Sequence, residues 1–111
     1  MIESYSFGTI RINGRAYSND VIIAGDKIIN WFREEGHNAR IIDFKNIPNN
    51  DEVLVIGTGA NGVMKVSEEV VDYFKDKNVE LIIKPTGEAV KTFNQLKKQN
   101  KKVAGAFHLT C

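Results

Sequence analysis

The chain has 111 residues, of which 42% are hydrophobic and 26% are charged, as expected of one globular domain rather than a disordered or coiled-coil protein. Fifteen basic residues against fourteen acidic ones leave a net charge of +1, so no overall field draws the chain to nucleic acid or to an anionic membrane. The single cysteine, Cys111, excludes an internal disulfide and fits a reducing compartment. With no long apolar run and no targeting pattern, we expect a cytoplasmic protein without a membrane partner.

Residues 1–50 are predicted to form mainly β-strands and turns. The clearest signal is Asn13-Gly14 between the runs 7–12 and 15–17, because both residues tolerate the positive φ of a type I′ hairpin turn. A β-branched run at 21–23 predicts a further strand, followed by a turn at Gly25-Asp26. Residues 28–32 are read as a strand rather than one helical turn, the type of 39–44 stays open, and Pro48-Asn49-Asn50 closes this half.

Residues 51–111 are predicted to alternate strand and helix. The apolar run 53–56 suits a strand covered on both faces. Ser67 is the expected cap of a helix that ends near Asn78, and Thr86 is the expected cap of a second helix. Strands are predicted at 79–83 and 103–109. The resulting βαβαβ order favours a single α/β domain over residues 1–111.

Parallel strands gather their carboxyl ends at one edge of a sheet, which is where open α/β sheets bind ligands. In this chain that edge would hold the loop 57–64, the turn Pro85-Thr86 and the segment 108–111. We therefore expect any small-molecule site to lie there.

A glycine loop follows the strand at 53–56. Its sequence, Gly57-Thr58-Gly59-Ala60-Asn61-Gly62, matches the pattern Gly-x-Gly-x-x-Gly, in which bare backbone approaches a phosphate. A dinucleotide site is disfavoured because Ser67 lies five residues beyond Gly62 and because Lys84, not an acidic residue, ends the next strand. The remaining interpretations are a small anion site or a tight structural turn. The candidate ligand-binding residues of this region are Gly57, Thr58, Gly59, Asn61, Gly62 and Thr86.

Polar residues also cluster after Trp31. Arg33 and His37 have the chemistry of an anion-binding or acid–base pair, although a solvated strand end explains them equally simply. Trp31 is either a core aromatic or part of an interaction surface, since no basic and aromatic pair accompanies it as in a nucleic-acid platform.

His108 and Cys111 form a motif at the end of the sequence. A thiol and an imidazole together suit a nucleophilic pair or two metal ligands. However, zinc requires at least three protein ligands, and residues three apart on a strand point to opposite faces. We therefore predict no metal site, with His108 as a buried histidine and Cys111 as a small apolar thiol.

Several of these motifs carry a family resemblance over essentially the whole chain. The glycine loop, the Pro-Thr helix start and the terminal His-Leu-Thr-Cys occur together at characteristic separations. The full set is Phe7-Gly8, Ile10, Ile12, Gly14, Asp20-Val21, 31–37, 55–59, Pro85-Thr86, Ala89-Val90, Phe93-Asn94 and 108–111. In these features the chain resembles a small family of single-domain proteins. That family includes the adipogenesis-associated domain-containing protein of animals and a mitochondrial assembly factor of respiratory complex I.

The resemblance implies a three-layer α/β fold with a central mixed sheet, and leaves open whether the last strand runs antiparallel. It implies no cofactor and no catalytic residue set, so an enzymatic role is not favoured. The implied function is that of a non-enzymatic binding or assembly-type module acting through a protein partner. The alternative is a protein or enzyme that binds a small anionic ligand through the glycine loop.

Overall fold

A computed structural model of the chain describes residues 1–45, 47 and 51–111. The predicted closing turn at Pro48-Asn49-Asn50 lies outside the described residues. The strands are β1 (Ile2–Ser6), β2 (Thr9–Ile12), β3 (Arg15–Tyr17), β4 (Val21–Ala24), β5 (Lys27–Asn30), β6 (Asn38–Ala39), β7 (Val53–Thr58), β8 (Lys65–Val66), β9 (Glu80–Lys84) and β10 (Val103–His108). The helices are α1 (Glu68–Asp76) and α2 (Thr86–Lys98), with a 3-10 helix at Ile41–Phe44.

A five-stranded sheet in the order β5-β4-β10-β7-β9 forms the centre of the fold. The strands β10, β7 and β9 run parallel, whereas β4 is antiparallel to β10 and β5 is antiparallel to β4. The expected mixed sheet is therefore confirmed. The direction of the last strand, which the sequence left open, is parallel to β7, so its end lies beside the glycine loop.

The two crossovers explain why the sheet is covered on both faces. The connection from β7 to β9 moves one way across the sheet, and the connection from β9 to β10 moves back. Right-handed crossovers in opposite directions place their helices on opposite faces. In agreement, Phe74 of α1 packs in one hydrophobic cluster and Phe93 of α2 packs in the other.

Side chains of β7 alternate between these two clusters. Leu54 and Ile56 face α1, whereas Val53 and Val55 face α2, as the period of two in a strand requires. All six residues of β7 are buried, which confirms the interpretation of 53–56 as a strand covered on both faces. The strand continues two residues further than predicted, to Thr58.

The predicted hairpin at Asn13-Gly14 is present between β2 and β3. Asn13 has φ of 50° and Gly14 has φ of 83°, the conformation of a type I′ turn. The first strand of the hairpin was predicted to begin at Phe7, but Phe7 and Gly8 form a turn, and β1 precedes it. The resulting three-stranded sheet is fixed to α2 by two hydrogen bonds between the Asn94 side chain and the backbone of Ile2, of 3.0 and 2.7 Å.

The strand predicted at 28–32 ends at Asn30 because Trp31 turns inward. Its side chain is 4% exposed, its Nε1–H donates to the Asp43 carbonyl over 2.8 Å, and its ring packs on Phe44. Trp31 is therefore a core residue and not an interaction surface. The sequence left the secondary structure of 39–44 undecided, and the structure places part of β6 and the 3-10 helix there.

Thr86 was predicted to cap the second helix, but it is the first helical residue and Pro85 occupies the cap position. Its hydroxyl is engaged in tertiary contacts with other elements. Ser67 does occupy the cap position of α1, although its side chain makes no capping hydrogen bond. In the part of the chain that the structure describes, neither helix has the length and apolarity needed to cross a membrane.

Candidate functional site

Strand register brings three polar residues together at the edge where β7 and β10 end. His108 pairs with Thr58 on one side, and Phe107 pairs with Val21 on the other. Since β4 runs antiparallel to β10, the residue before Val21, Asp20, lies opposite His108. The alternation of side chains then directs Asp20, Thr58 and His108 toward the face covered by α1.

The Asp20 carboxylate is the centre of this site. Its Oδ2 lies 2.7 Å from His108 Nδ1 and 2.7 Å from Arg33 Nη2. Its Oδ1 accepts from the Leu109 amide over 2.7 Å. Asp20 thus joins the loop after β5, the start of β4 and the end of β10. The sequence interpretation missed this role, and the available signal was an acidic residue placed directly before a buried strand.

These contacts set the proton position on His108. An ionised carboxylate only accepts hydrogen bonds, so Nδ1 carries the proton and donates it to Asp20. Arg33 Nη2 lies 2.9 Å from the same Nδ1, but two donors do not bond to each other, and both instead converge on Asp20 Oδ2. The lone pair of a neutral His108 is therefore on Nε2.

The hydrogen bonds also hold the Asp20 carboxyl in its ionised form. Burial opposes ionisation, but hydrogen bonds from His108, from the Leu109 amide and from Arg33 outweigh it, and the pKa of Asp20 lies below its ordinary value. The group consequently remains an acceptor at neutral pH.

His37 and Cys111 complete the cluster. One ring nitrogen of each histidine and the Cys111 sulfur all lie within 4.8 Å of one another, and the two imidazole rings meet edge to face at 6.2 Å. His37 is held by its carbonyl, which accepts from the Lys65 amide over 2.8 Å. The sequence argument that His108 and Cys111 point apart does not apply, because β10 ends at His108 and the residues up to Cys111 lie outside the strand.

The glycine loop is packed against the segment 109–111. Ala60 N–H donates to the Thr110 carbonyl and Val63 N–H donates to the Cys111 carbonyl, over 3.2 and 3.3 Å. Gly59 has φ of 106°, and a Cβ there would lie 2.3 Å from the Thr110 oxygen. The loop therefore requires glycine at this position for close approach of its own chain.

Thr86 links the same loop to β10. Its Oγ1 accepts from the Gly59 amide over 2.8 Å and donates to the His108 carbonyl over 2.6 Å. A Cβ on Gly57 would lie 2.8 Å from that oxygen. The Gly62 amide donates to Gly59, Thr58 Oγ1 donates to Lys84, and Asn61 is exposed in the turn.

The structure thus separates the predicted site residues into two groups. Arg33, His37, His108 and Cys111 meet in one polar cluster with Asp20. The glycine loop and Thr86 form the second group, and they make the hydrogen bonds within the chain that were just described. Ligand binding by the loop stays a prediction.

Arg33 also borders a cleft of about 370 Å³ on the α1 face, whose lining includes Phe32, Ile42 and Lys45. Its guanidinium lies over the Trp31 ring, 4.4 Å from the centroid. Within the described residues, Arg33 Nε and Nη1 are buried and have no hydrogen-bond partner. The lining of the cleft therefore combines apolar side chains with two basic residues, Arg33 and Lys45, and two acidic residues, Glu34 and Asp43.

The cluster combines an oriented imidazole with a thiol. These two groups are found together both beside cysteine nucleophiles and in metal sites. A nucleophile also requires donors aimed at a developing oxyanion. The adjacent amides of Gly59, Ala60, Gly62 and Val63 already donate to acceptors in the chain. The arrangement therefore supports ligation or structural roles better than acyl transfer.

Comparison with known proteins gives a family and a fold. A family model described as a protein of unknown function (DUF498/DUF598) matches residues 2–108. A conserved hypothetical protein of Pyrococcus horikoshii is 28% identical, with a TM-score of 0.91 over 100% of this chain and 99% of its own. A structure from Bartonella henselae, named an outer membrane protein, is 24% identical, with a TM-score of 0.86 over 99% and 94% of the two chains. An Mth938-like domain of Bordetella pertussis is 18% identical, with a TM-score of 0.76 over 98% and 85%.

Replacement of Gly59 by alanine tests the role of the loop as a seat for the segment 109–111. We expect Gly59→Ala to lower the free energy of unfolding by about 3 kcal/mol, because the new methyl group overlaps backbone at an unfavourable φ. Gly25→Ala is the matched control, since Gly25 also has a positive φ but no atom within 4 Å of the added Cβ, and it should cost only about 1 kcal/mol. Urea denaturation measures both values, and equal losses would contradict the packing argument.

Asp20→Asn tests the central carboxylate. Because the folded pKa of Asp20 is lowered, its ionisation stabilises the protein above the unfolded pKa of about 3.9, and that contribution is lost as the pH falls through the folded pKa. We expect Asp20→Asn to cost about 3 kcal/mol at pH 7, because Arg33 is left without its partner, and to flatten the loss of stability below pH ~4. Urea denaturation across this pH range provides the measurement.

Asp26→Asn, which changes an exposed residue of the β4–β5 turn, is the control for that experiment. It should leave both the stability at pH 7 and the acid dependence close to those of the parent. An Asp20→Asn profile that matches the control would show that the carboxylate does not stabilise the fold.

Proposed function

The chain belongs to the DUF498/DUF598 family of proteins of unknown function. From the features of its surface, we propose that it is a non-enzymatic binding module acting through a protein partner. The observation that carries this proposal is an exposed aromatic residue at the rim of the cleft. Phe32 is 81% exposed and Ile42, across the same cleft, is 54% exposed. Large apolar side chains grouped on a surface in this way are typical of interaction sites.

The exposure of Phe32 follows from the position of Trp31. Trp31 turns into the core immediately after β5, so the next side chain in an extended segment points outward. Phe32 therefore lies two residues beyond the end of β5, which is an outer strand of the central sheet. An outer sheet edge presents backbone donors and acceptors to an incoming strand.

These features fit an extended segment of a partner protein. Such a segment would add to β5 by backbone hydrogen bonds, and its apolar side chains would pack between Phe32 and Ile42. The sequence resemblance to the adipogenesis-associated domain-containing protein and to a complex I assembly factor supports the same type of role. An expected cytoplasmic location is compatible with such a partner.

Phe32→Ser tests the proposed surface. We expect this variant to lose partner binding by at least ~2 kcal/mol, about 30-fold in Kd, because a central aromatic anchor dominates such interfaces. A photo-crosslinking residue at position 32 would capture the partner from native cells, and the purified partner would then be titrated against the parent and the variant.

Phe7→Ser is the matched control, since Phe7 is also an exposed phenylalanine, at 64%, but lies in the β1–β2 turn. It should leave the affinity unchanged. Equal effects of Phe7→Ser and Phe32→Ser, or crosslinking from position 7 to the same partner, would overturn the assignment of this surface. Sedimentation analysis distinguishes a second copy of the chain from a different partner.

A second candidate is the binding of a small anion, and one observation favours it. Arg33 Nε and Nη1 have no partner among the described residues, and Lys45 lines the same cleft. Buried donors gain most from an acceptor that replaces water. This version of the proposal uses the side chains of the cleft in place of the loop amides.

Thermal denaturation with phosphate and small dicarboxylates tests the anion proposal. A ligand at one hundred times its Kd stabilises the folded state by about 2.7 kcal/mol. We expect the rise in Tm to be reduced in Lys45→Gln and retained in Lys75→Gln, a control on the exposed side of α1. No rise with any of these anions in the parent protein would contradict this candidate.

A further inference from the structure

We propose that His37, His108 and Cys111 bind one transition-metal ion, with Zn²⁺ as the best match to the ligand set. The three side chains come from the loop after β5, the end of β10 and the segment that follows it. Their candidate ligand atoms lie within 4.8 Å of one another. Two imidazoles and a thiolate are ligands that zinc prefers, and three protein ligands leave a fourth position open.

The spacing is close to that of an occupied site. Zn–N bonds of about 2.0–2.1 Å and a Zn–S bond of about 2.3 Å place tetrahedral ligand atoms roughly 3.3–3.6 Å apart. The most widely separated pair of ligand atoms must therefore approach by about 1 Å, through rotation about the side-chain χ bonds. His37 is exposed and Cys111 is half-buried, so both have room for this movement.

An unpartnered nitrogen is the independent observation. His108 is 5% exposed, and its Nε2 is buried with no hydrogen-bond partner among the described residues. Leaving a buried polar atom unsatisfied costs free energy. A metal ion bound at Nε2 would satisfy this atom.

The Asp20 carboxylate prepares Nε2 for ligation. By accepting from Nδ1 over 2.7 Å, it fixes the ring orientation and leaves the lone pair on Nε2. Carboxylate–histidine–metal arrangements of this kind raise the basicity of the ligating nitrogen. Arg33 balances the charge of Asp20, so the thiolate of Cys111 is the anionic ligand that offsets the charge of the ion.

Titration of the metal-free chain with Zn²⁺ by calorimetry, and with Co²⁺ by absorption spectroscopy, tests this site. We expect one ion per chain and a thiolate-to-cobalt charge-transfer band, with d–d intensity typical of four-coordinate cobalt. Cys111→Ser should abolish the band, and His37→Gln should weaken Zn²⁺ binding by at least roughly 10–100-fold, the loss that removal of an outer partner alone causes. Both changes are at residues that are not fully buried, so circular dichroism should confirm that the variants fold.

Glu34→Gln is the matched control, because Glu34 is an exposed residue of the same loop as His37. It should leave the affinity within twofold of the parent. The absence of stoichiometric Zn²⁺ binding by the parent would overturn the proposal. So would retention of affinity by His37→Gln, since the remaining His108 and Cys111 would then bind without the third ligand.

Discussion

The carboxylate of Asp20 is the interaction on which the polar edge of this fold depends. It accepts hydrogen bonds from His108, Arg33 and the Leu109 amide, and it thereby joins the start of β4 to the loop after β5 and to the end of β10. Burying an isolated charge away from water costs free energy. The Asp20 carboxylate stays ionised because its ion pair and hydrogen bonds outweigh this cost. Its removal would release the orientation of His108 and leave the Arg33 cation without its anionic partner.

The second constraint is the close packing of the segment 109–111 on the glycine loop. Gly59 lies against the Thr110 carbonyl, and Thr86 bridges the loop to the end of β10 through one hydroxyl. A loop whose sequence matches a phosphate-binding pattern therefore packs against the backbone of residues 109–111 in this chain. This packing also positions Cys111 near His37 and His108, which links the loop indirectly to the candidate metal site.

The proposed partner surface and the proposed metal site share one loop. Phe32 and Arg33 are adjacent, and the first points to solvent while the second contributes to the Asp20 network. His37 follows on the same loop, where Arg33 donates to the Gly36 carbonyl over 3.1 Å. The conformation of residues 31–37 thus determines both the exposure of Phe32 and the position of His37, the candidate metal ligand from this loop.

Local apolar periodicity and turn chemistry were enough to predict the hairpin at Asn13-Gly14, the mixed α/β class and, apart from the short strand β8, the order of strands and helices over residues 51–111. The sequence also identified His108, Cys111, Arg33 and His37 as chemistry-bearing residues. Their proximity depends on contacts between distant segments, namely the antiparallel pairing of β4 with β10, the position of the loop after β5 and the end of β10 at His108. The burial of Trp31, the hydroxyl bridge of Thr86 and the role of Asp20 were likewise decided by contacts between residues distant in the sequence, which local patterns do not encode.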